Sequence, residues 1–223
     1  YVAYLHATGG TRLNDFRQQN EESPYWGVIN QMRTSYTPAD LQVGFKASPL
    51  PGLGFHLFGG YRVTKDEIFH LYPDITDTDF PYCYSLLMQE KAKVGYGGIK
   101  AAYGYKDIFD FSVGGTYYGW NVKDEAKVLL YLKPEFVLDA SARAKVYDEF
   151  WISAVYRYER RVKAGELEKA DAINNLSLSA GYKFFNSLNV FVRFNNLLNQ
   201  DYITEAGYPV QGFNAMAGVS FRF

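Results

Sequence analysis

Apolar and polar residues alternate with a period of two through most of this chain, most clearly at its end. Between positions 212 and 223, Phe213, Ala215, Ala217, Val219, Phe221 and Phe223 alternate with Asn214, Gly218, Ser220 and Arg222. Successive side chains of a strand point to opposite faces, so this pattern predicts a strand with one apolar and one polar side. Leu188, Val190, Val192 and Phe194 repeat it against Asn189, Arg193 and Asn195, with Phe191 as one large ring on the polar side. Positions 176–184, 150–159 and 136–146 follow the same template, with Trp151 and Val155 as exceptions. Earlier strands are expected at 1–8, 36–47, 55–64, 91–105 and 109–120, which brings the number to ten.

The connections alternate in length. Short links rich in turn formers fall at 48–52, 106–107, 147–149 and 185–187, and longer polar stretches at 10–35, 65–90, 123–133, 163–170 and 199–211. Short and long in strict succession predict an up-and-down antiparallel barrel, with brief turns at one rim and long loops at the other. A sandwich with Greek-key crossings does not sort its loops this way.

Alternation alone fits a soluble barrel, apolar inside, and a membrane barrel, apolar outside. Charges in mid-strand (Asp139, Arg143, Arg157, Arg193) suit a wide watery lumen. Aromatic pairs at strand ends (Tyr103/Tyr105, Tyr156/Tyr158, Tyr182/Phe184, Phe221/Phe223) suit an interfacial girdle. Strand glycines such as Gly59, Gly60, Gly97, Gly98, Gly114 and Gly115 suit a curved wall. The expectation is therefore an all-β, antiparallel, up-and-down transmembrane β-barrel of about ten strands, with a soluble lipocalin-like barrel as the competing reading.

Composition narrows the picture further. Aromatic residues make up 18% of 223 residues, and a single Cys83 excludes a disulfide scaffold. The 23 basic and 24 acidic residues give a formal net charge of -1, which argues against a nucleic-acid partner. No apolar run approaches the ~20 residues of a membrane helix. The chain opens at Tyr1 without a Met or an apolar leader, as a mature product or a piece of a longer protein does.

The C-terminal residues carry a family pattern. The run Asn189-Val-Phe-Val-Arg-Phe-Asn-Asn-Leu-Leu-Asn-Gln-Asp-Tyr202, then Gly207-Tyr-Pro-Val-Gln-Gly212, then a strand closing on Phe221-Arg222-Phe223, resembles the last strands and final loop of TonB-dependent outer-membrane receptors. Asn196, Leu197, Asn199, Tyr202, Tyr208, Pro209, Gly212 and Phe223 occupy the matching positions. Asn195, Asn196 and Asn199 suit Asx-type bonds and left-handed backbone where a loop leaves the rim. Pro209 presets the backbone ahead of the last strand.

The resemblance covers about 133–223 and implies a barrel of twenty-two strands, of which this chain holds about ten and no plug-like segment. It implies a location in the outer membrane of a Gram-negative bacterium. It implies contact with outer-membrane lipid and with the barrel-assembly machinery, for which Phe223 is the terminal signal, and, in a longer receptor, a plug domain and the TonB complex. The implied parent function is import of a scarce nutrient such as a metal chelate, cofactor or oligosaccharide, which this chain alone does not perform. Glu135, Asp139, Arg143, Lys145, Arg157, Glu159, Arg193 and Arg222 are expected to line the lumen. The second reading is a stand-alone small barrel acting as a passive pore, adhesin or structural protein.

Other chemistry is weakly represented. His6, His56 and His70 lack zinc-protease spacing, and neither a Gly-x-Ser-x-Gly elbow nor a phosphate loop is present. Asp74, Asp77 and Asp79 lack the Gly and distal Glu of a dedicated calcium loop. A hydrolase centred on His70 with Asp66, Glu67 and Asp74 is the third reading, although no nucleophile–base spacing supports it, so no catalytic residue, metal or cofactor is expected. Trp26, Tyr72, Phe80, Tyr82, Tyr84 and Trp120 are candidates for an aromatic platform, with Trp120 better assigned to the membrane girdle.

Overall fold

The computed structural model describes residues 1–22, 26–27, 32–71, 85–167, 169–184, 187–205 and 208–221. Its elements, in chain order, are β1 (Val2–Arg12), α1 (Phe16–Glu22), β2 (Trp26–Gly27), β3 (Ser35–Leu50), β4 (Leu53–Leu71), β5 (Ser85–Tyr105), β6 (Phe109–Asn121), a 3-10 helix (Asp124–Leu130), β7 (Pro134–Lys145), β8 (Phe150–Arg161), β9 (Ile173–Phe184), β10 (Leu188–Asn195), β11 (Ile203–Glu205), β12 (Tyr208–Pro209) and β13 (Asn214–Phe221). One sheet holds ten of the strands in the order β1-β3-β4-β5-β6-β7-β8-β9-β10-β13, with β2 beside β5, while β11 and β12 form a small hairpin apart. Each neighbouring pair along that path is antiparallel. The ten strands expected from the alternation are all present, and short turns alternate with long connections.

The registers put like with like. Ala47, Phe55, Ala101, Val113 and Ala140 lie opposite one another on one side of the sheet, as do Phe45, Leu57, Ile99, Gly115, Leu138 and Tyr158. On β8, β9, β10 and β13 the same side carries Ile152, Ala180, Val192 and Ala217 in one continuous row. No charged residue enters these rows. The other side carries Lys46, His56, Lys100, Gly114, Asp139, Arg157 and Asn175 in a single row.

The apolar side is uncovered: Val219 is 66% exposed, Leu57 58% and Ile99 55%. A continuous apolar surface of this extent is incompatible with water and suits hydrocarbon. Aromatic rings stand at both ends of it. Phe136 and Tyr158 meet at 6.4 Å toward the long loops, and Tyr182 and Phe184 at 4.5 Å beside the short turns.

The buried apolar core lies beyond the short strands, at the long-loop rim. β4 and β5 continue past the expected ends at 64 and 91, so half of the presumed loop 65–90 is strand, up to Leu71 and from Ser85 onward. A bulge between Thr64 and Glu67, with Asp66 at φ 54°, re-aims the strands. Beyond it Phe69 is fully buried and packs with Ala92, Ala126, Leu129, Leu130 and Ala164. The 3-10 helix thus plugs an apolar contact that alternation alone does not reveal, since the turn places Ala126, Leu129 and Leu130 on one side.

Candidate functional site

The polar side of the sheet is the candidate site. In its C-terminal half, register places Asp139, Arg143, Lys145, Arg157 and Glu159 on one side, with Arg193 on the same side of β10. Arg157 donates to Asp139 Oδ1 at 3.0 Å and to Glu159 Oε2 at 2.7 Å, and Arg161 meets Glu159 Oε1 at 2.8 Å. Glu159 and Arg161 are buried, and Arg161 also donates to the Leu132 carbonyl and, at 3.3 Å, to that of Ile203. Four alternating charges therefore hold β7, β8 and the rim together. Arg143 stacks on the Trp151 ring at 5.1 Å.

Glu135 departs from this row. It stands at a bulge between Pro134 and Phe136, and its partners are Arg160 at 3.0 Å, Lys169 at 3.1 Å and the Tyr117 hydroxyl at 3.5 Å. Tyr117 lies opposite Phe136 on the apolar side, so Glu135 serves a rim cluster instead of the polar row. Arg222 and Phe223 lie outside the described residues.

The family-pattern residues form a tied rim loop. Asn196 and Asn199 adopt left-handed φ of 47° and 46°. The Asn196 side chain accepts from Gln200 N at 3.1 Å and donates to the carbonyls of Gln200 at 3.0 Å and Gln211 at 3.2 Å. Asn199 Oδ1 accepts from Phe213 N at 2.8 Å, and a Cβ at Gly212 would stand 2.9 Å from that same oxygen. Leu197 N donates to the Leu176 carbonyl at 2.8 Å. Tyr202 is buried, accepts from Asn175 Nδ2 at 2.9 Å, and its carbonyl accepts from Val210 N just beyond the Tyr208–Pro209 strand. These contacts lock a loop end.

One aromatic expectation needs correction. Trp120 pairs with Val94 on the polar side, donates its Nε1 to the Pro134 carbonyl at 2.8 Å and packs on the buried cluster, so it is no part of a lipid girdle. The side chain of Trp26, with Tyr72, Phe80, Tyr82 and Tyr84, lies outside the described residues, as do Asp74, Asp77, Asp79 and Cys83. His70 sits within β4 opposite Leu87; Asp66 pairs with Arg33 at 2.8 Å and Glu67 with Arg12 at 3.7 Å. Two of the acids grouped with His70 by sequence, Asp66 and Glu67, are thus engaged by arginines of the rim.

The N-terminal half of the polar side went unread in the sequence. Tyr4 OH and His56 Nε2 are 2.8 Å apart, Lys46 lies over the Tyr4 ring at 5.5 Å, and Lys100 over Phe58 at 5.6 Å. Tyr96 donates to Asp40 Oδ1 at 3.3 Å. Each of these rings lies against a glycine directly across the ladder: Tyr4 over Gly44, Phe58 over Gly98 and Tyr96 over Gly60. Trp151 over Gly181 and Phe191 over Gly218 repeat the arrangement, so the rings that broke the alternation occupy space that only glycine leaves. The usable signal was Gly95-Tyr-Gly-Gly98, a small–large alternation on a strand.

No family model and no curated protein sequence matches the chain. Among solved structures it is similar to the copper transporter OprC, with 14% identity and a TM-score of 0.68 over 99% of this chain and 37% of that one. The ferric-catecholate import receptor Fiu of E. coli K12 shares 14% identity and a TM-score of 0.66, over 99% of this chain and 33% of that one. The pyoverdine outer membrane receptor FpvA of Pseudomonas aeruginosa PAO1, bound to pyoverdine, shares 16% identity and a TM-score of 0.67, over 99% and 34%. The chain spans about a third of the length of these structures and shares its fold with part of their barrels.

Proposed function

We propose that this chain is a C-terminal stretch of the barrel wall of a TonB-dependent outer-membrane receptor, one that imports a scarce nutrient such as a metal chelate, cofactor or oligosaccharide. The observation that carries the reading is the charge-free apolar rows on one side of a ten-strand antiparallel sheet and the gathering of mid-strand charges on the other. In this reading the apolar side faces lipid, and Asp139, Arg143, Lys145, Arg157, Glu159 and Arg193 face the water of the lumen. Phe223 serves the barrel-assembly machinery. Import belongs to the whole receptor, with its plug and TonB contact. The structural neighbours are named for copper, ferric catecholate and pyoverdine, and transport receptors rather than enzymes are what the fold resembles.

Two measurements test it. In the full-length protein with Cys83→Ser, a cysteine at Arg193 reacts with a water-soluble maleimide, and a label on a cysteine at Val192 is quenched from the lipid phase; the reverse facing overturns the barrel reading. Cells expressing the full-length protein then accumulate labelled iron, copper or oligosaccharide in a manner abolished by a protonophore. Accumulation indifferent to the protonophore assigns the protein instead to the passive pores.

A further inference from the structure

A cleft of about 280 Å³ opens on the polar side, lined by Asp40, Arg62, Lys100, Tyr96, Tyr118 and Trp120 among others. Its walls come from β3, β4, β5 and β6, and its residues share one side by register: Asp40 faces Arg62, Arg62 faces Val94, Val94 faces Trp120, and Tyr96 faces Tyr118. None of the four residues of the charge chain on β7 and β8 lines it.

The chemistry of the lining is specific. Phe58 and Tyr96 lean across the ladder onto Gly98 and Gly60, so their rings are laid against the sheet and leave the space above them open. Tyr118 and Trp120 supply further aromatic surface, and Trp120 is fixed by its bond to the Pro134 carbonyl. Asp40, the one acid in the lining, accepts from the Tyr96 hydroxyl. Among the described residues neither Arg62 nor Lys100 forms an ion pair, in contrast to Arg157 and Arg161. Lys100 reaches over the Phe58 ring. With Asp40 as the only acid beside Arg62 and Lys100, the lining keeps one net positive charge above aromatic surface, which suits an anion that brings its own ring. The volume is near the small end of the ~300–1,000 Å³ of ligand pockets and admits one ring with its acid group.

We infer that this cleft is a binding subsite for a small anionic aromatic solute, an aryl carboxylate or phenolate, with Arg62 and Lys100 meeting the acid and Tyr96, Tyr118 and Trp120 the ring. The inference rests on the reading that the polar side faces the aqueous lumen and names the chemical class that side admits.

Titration calorimetry on the full-length protein in detergent tests it with 4-hydroxybenzoate. Saturable binding is expected, with a change in Trp120 fluorescence. Cyclohexanecarboxylate, which keeps the charge without the aromatic ring, and 4-hydroxybenzyl alcohol, which keeps the ring without the charge, bind about tenfold or more weakly. Arg62→Gln with Lys100→Gln weakens 4-hydroxybenzoate about tenfold or more, while Lys106→Gln in a short turn leaves it unchanged. Tyr118→Leu, which alters no charge, weakens 4-hydroxybenzoate more than cyclohexanecarboxylate and serves if the double variant does not fold. Equal binding of the three probes, or binding indifferent to both the double variant and Tyr118→Leu, overturns the proposal. The cysteine facing measurement separates the failures: correct facing with no binding overturns this inference alone, and reversed facing overturns the lumen reading with it.

Discussion

At the scale of single residues, the sheet discriminates sharply between neighbours. Val192 and Arg193 are adjacent in sequence and on opposite sides of the wall. Val192→Arg is expected to cost roughly 2–4 kcal/mol if it lies near the bilayer midplane, and Arg193→Ala much less, as read from denaturant unfolding in lipid vesicles. Glycines discriminate in the same way. A Cβ at Gly181 would stand 2.6 Å from the Trp151 ring, whereas nothing lies within 4 Å of one at Gly10. Gly181→Ala is thus expected to destabilise by about 1–3 kcal/mol. Gly10→Ala is expected to stay within about 0.5 kcal/mol in the same unfolding series. Asn196 combines a left-handed φ of 47° with three side-chain bonds, so Asn196→Ala should lose about 1–3 kcal/mol and raise proteolysis between 196 and 213.

At the scale of elements, the spanning strands were legible and their extensions were not. Period-two alternation identifies 109–120 or 150–159 because one side is apolar and the other polar. Past Thr64 that rule fails, since the consecutive residues Ile68 and Phe69 are both buried, as is Leu87, with Phe69 packed against the 3-10 helix. A double-sided apolar strand gives no alternation, and a long polar-flanked stretch then reads as a loop. Trp120 was misplaced for the same reason: a ring at a strand end looks like a girdle until the covering helix is known. The Asn196 and Asn199 turns were legible because left-handed backbone has few residue solutions. The Tyr96–Asp40 and Arg62 cleft was not, because nothing local joins positions 40, 62 and 96. The covering contact is itself testable. Leu129→Ala should cost about 2–4 kcal/mol within this cluster and speed amide exchange in 66–71 and 86–92, leaving exchange in β8 to β10 unaltered.

At the scale of the whole molecule, the sheet has two outer edges: among the described residues β1 pairs only with β3, and β13 only with β10. Hydrocarbon leaves no solvent for the backbone groups of an open edge. Under the proposed function further strands of the receptor meet both. The chain expressed by itself should therefore show no heat-dependent shift in gel mobility after detergent extraction, while the full-length protein should migrate faster unheated than boiled. Beyond the rim, β4 and β5 keep their ladder for several residues past the bulge, and their buried Phe69 makes this hairpin a firm projection from the wall.

The ring-on-glycine contacts also bear on how such a wall can drift over generations. Tyr4 with Gly44, Phe58 with Gly98, Tyr96 with Gly60, Trp151 with Gly181 and Phe191 with Gly218 are constraints on pairs, not on positions. Enlarging the glycine first drives a side chain into a ring, and shrinking the ring first bares backbone beneath it. Neither single step is neutral, so among diverged sequences with this wall the two members of each pair should be exchanged together, and a strand can hand its ring to its neighbour only by taking the glycine in return.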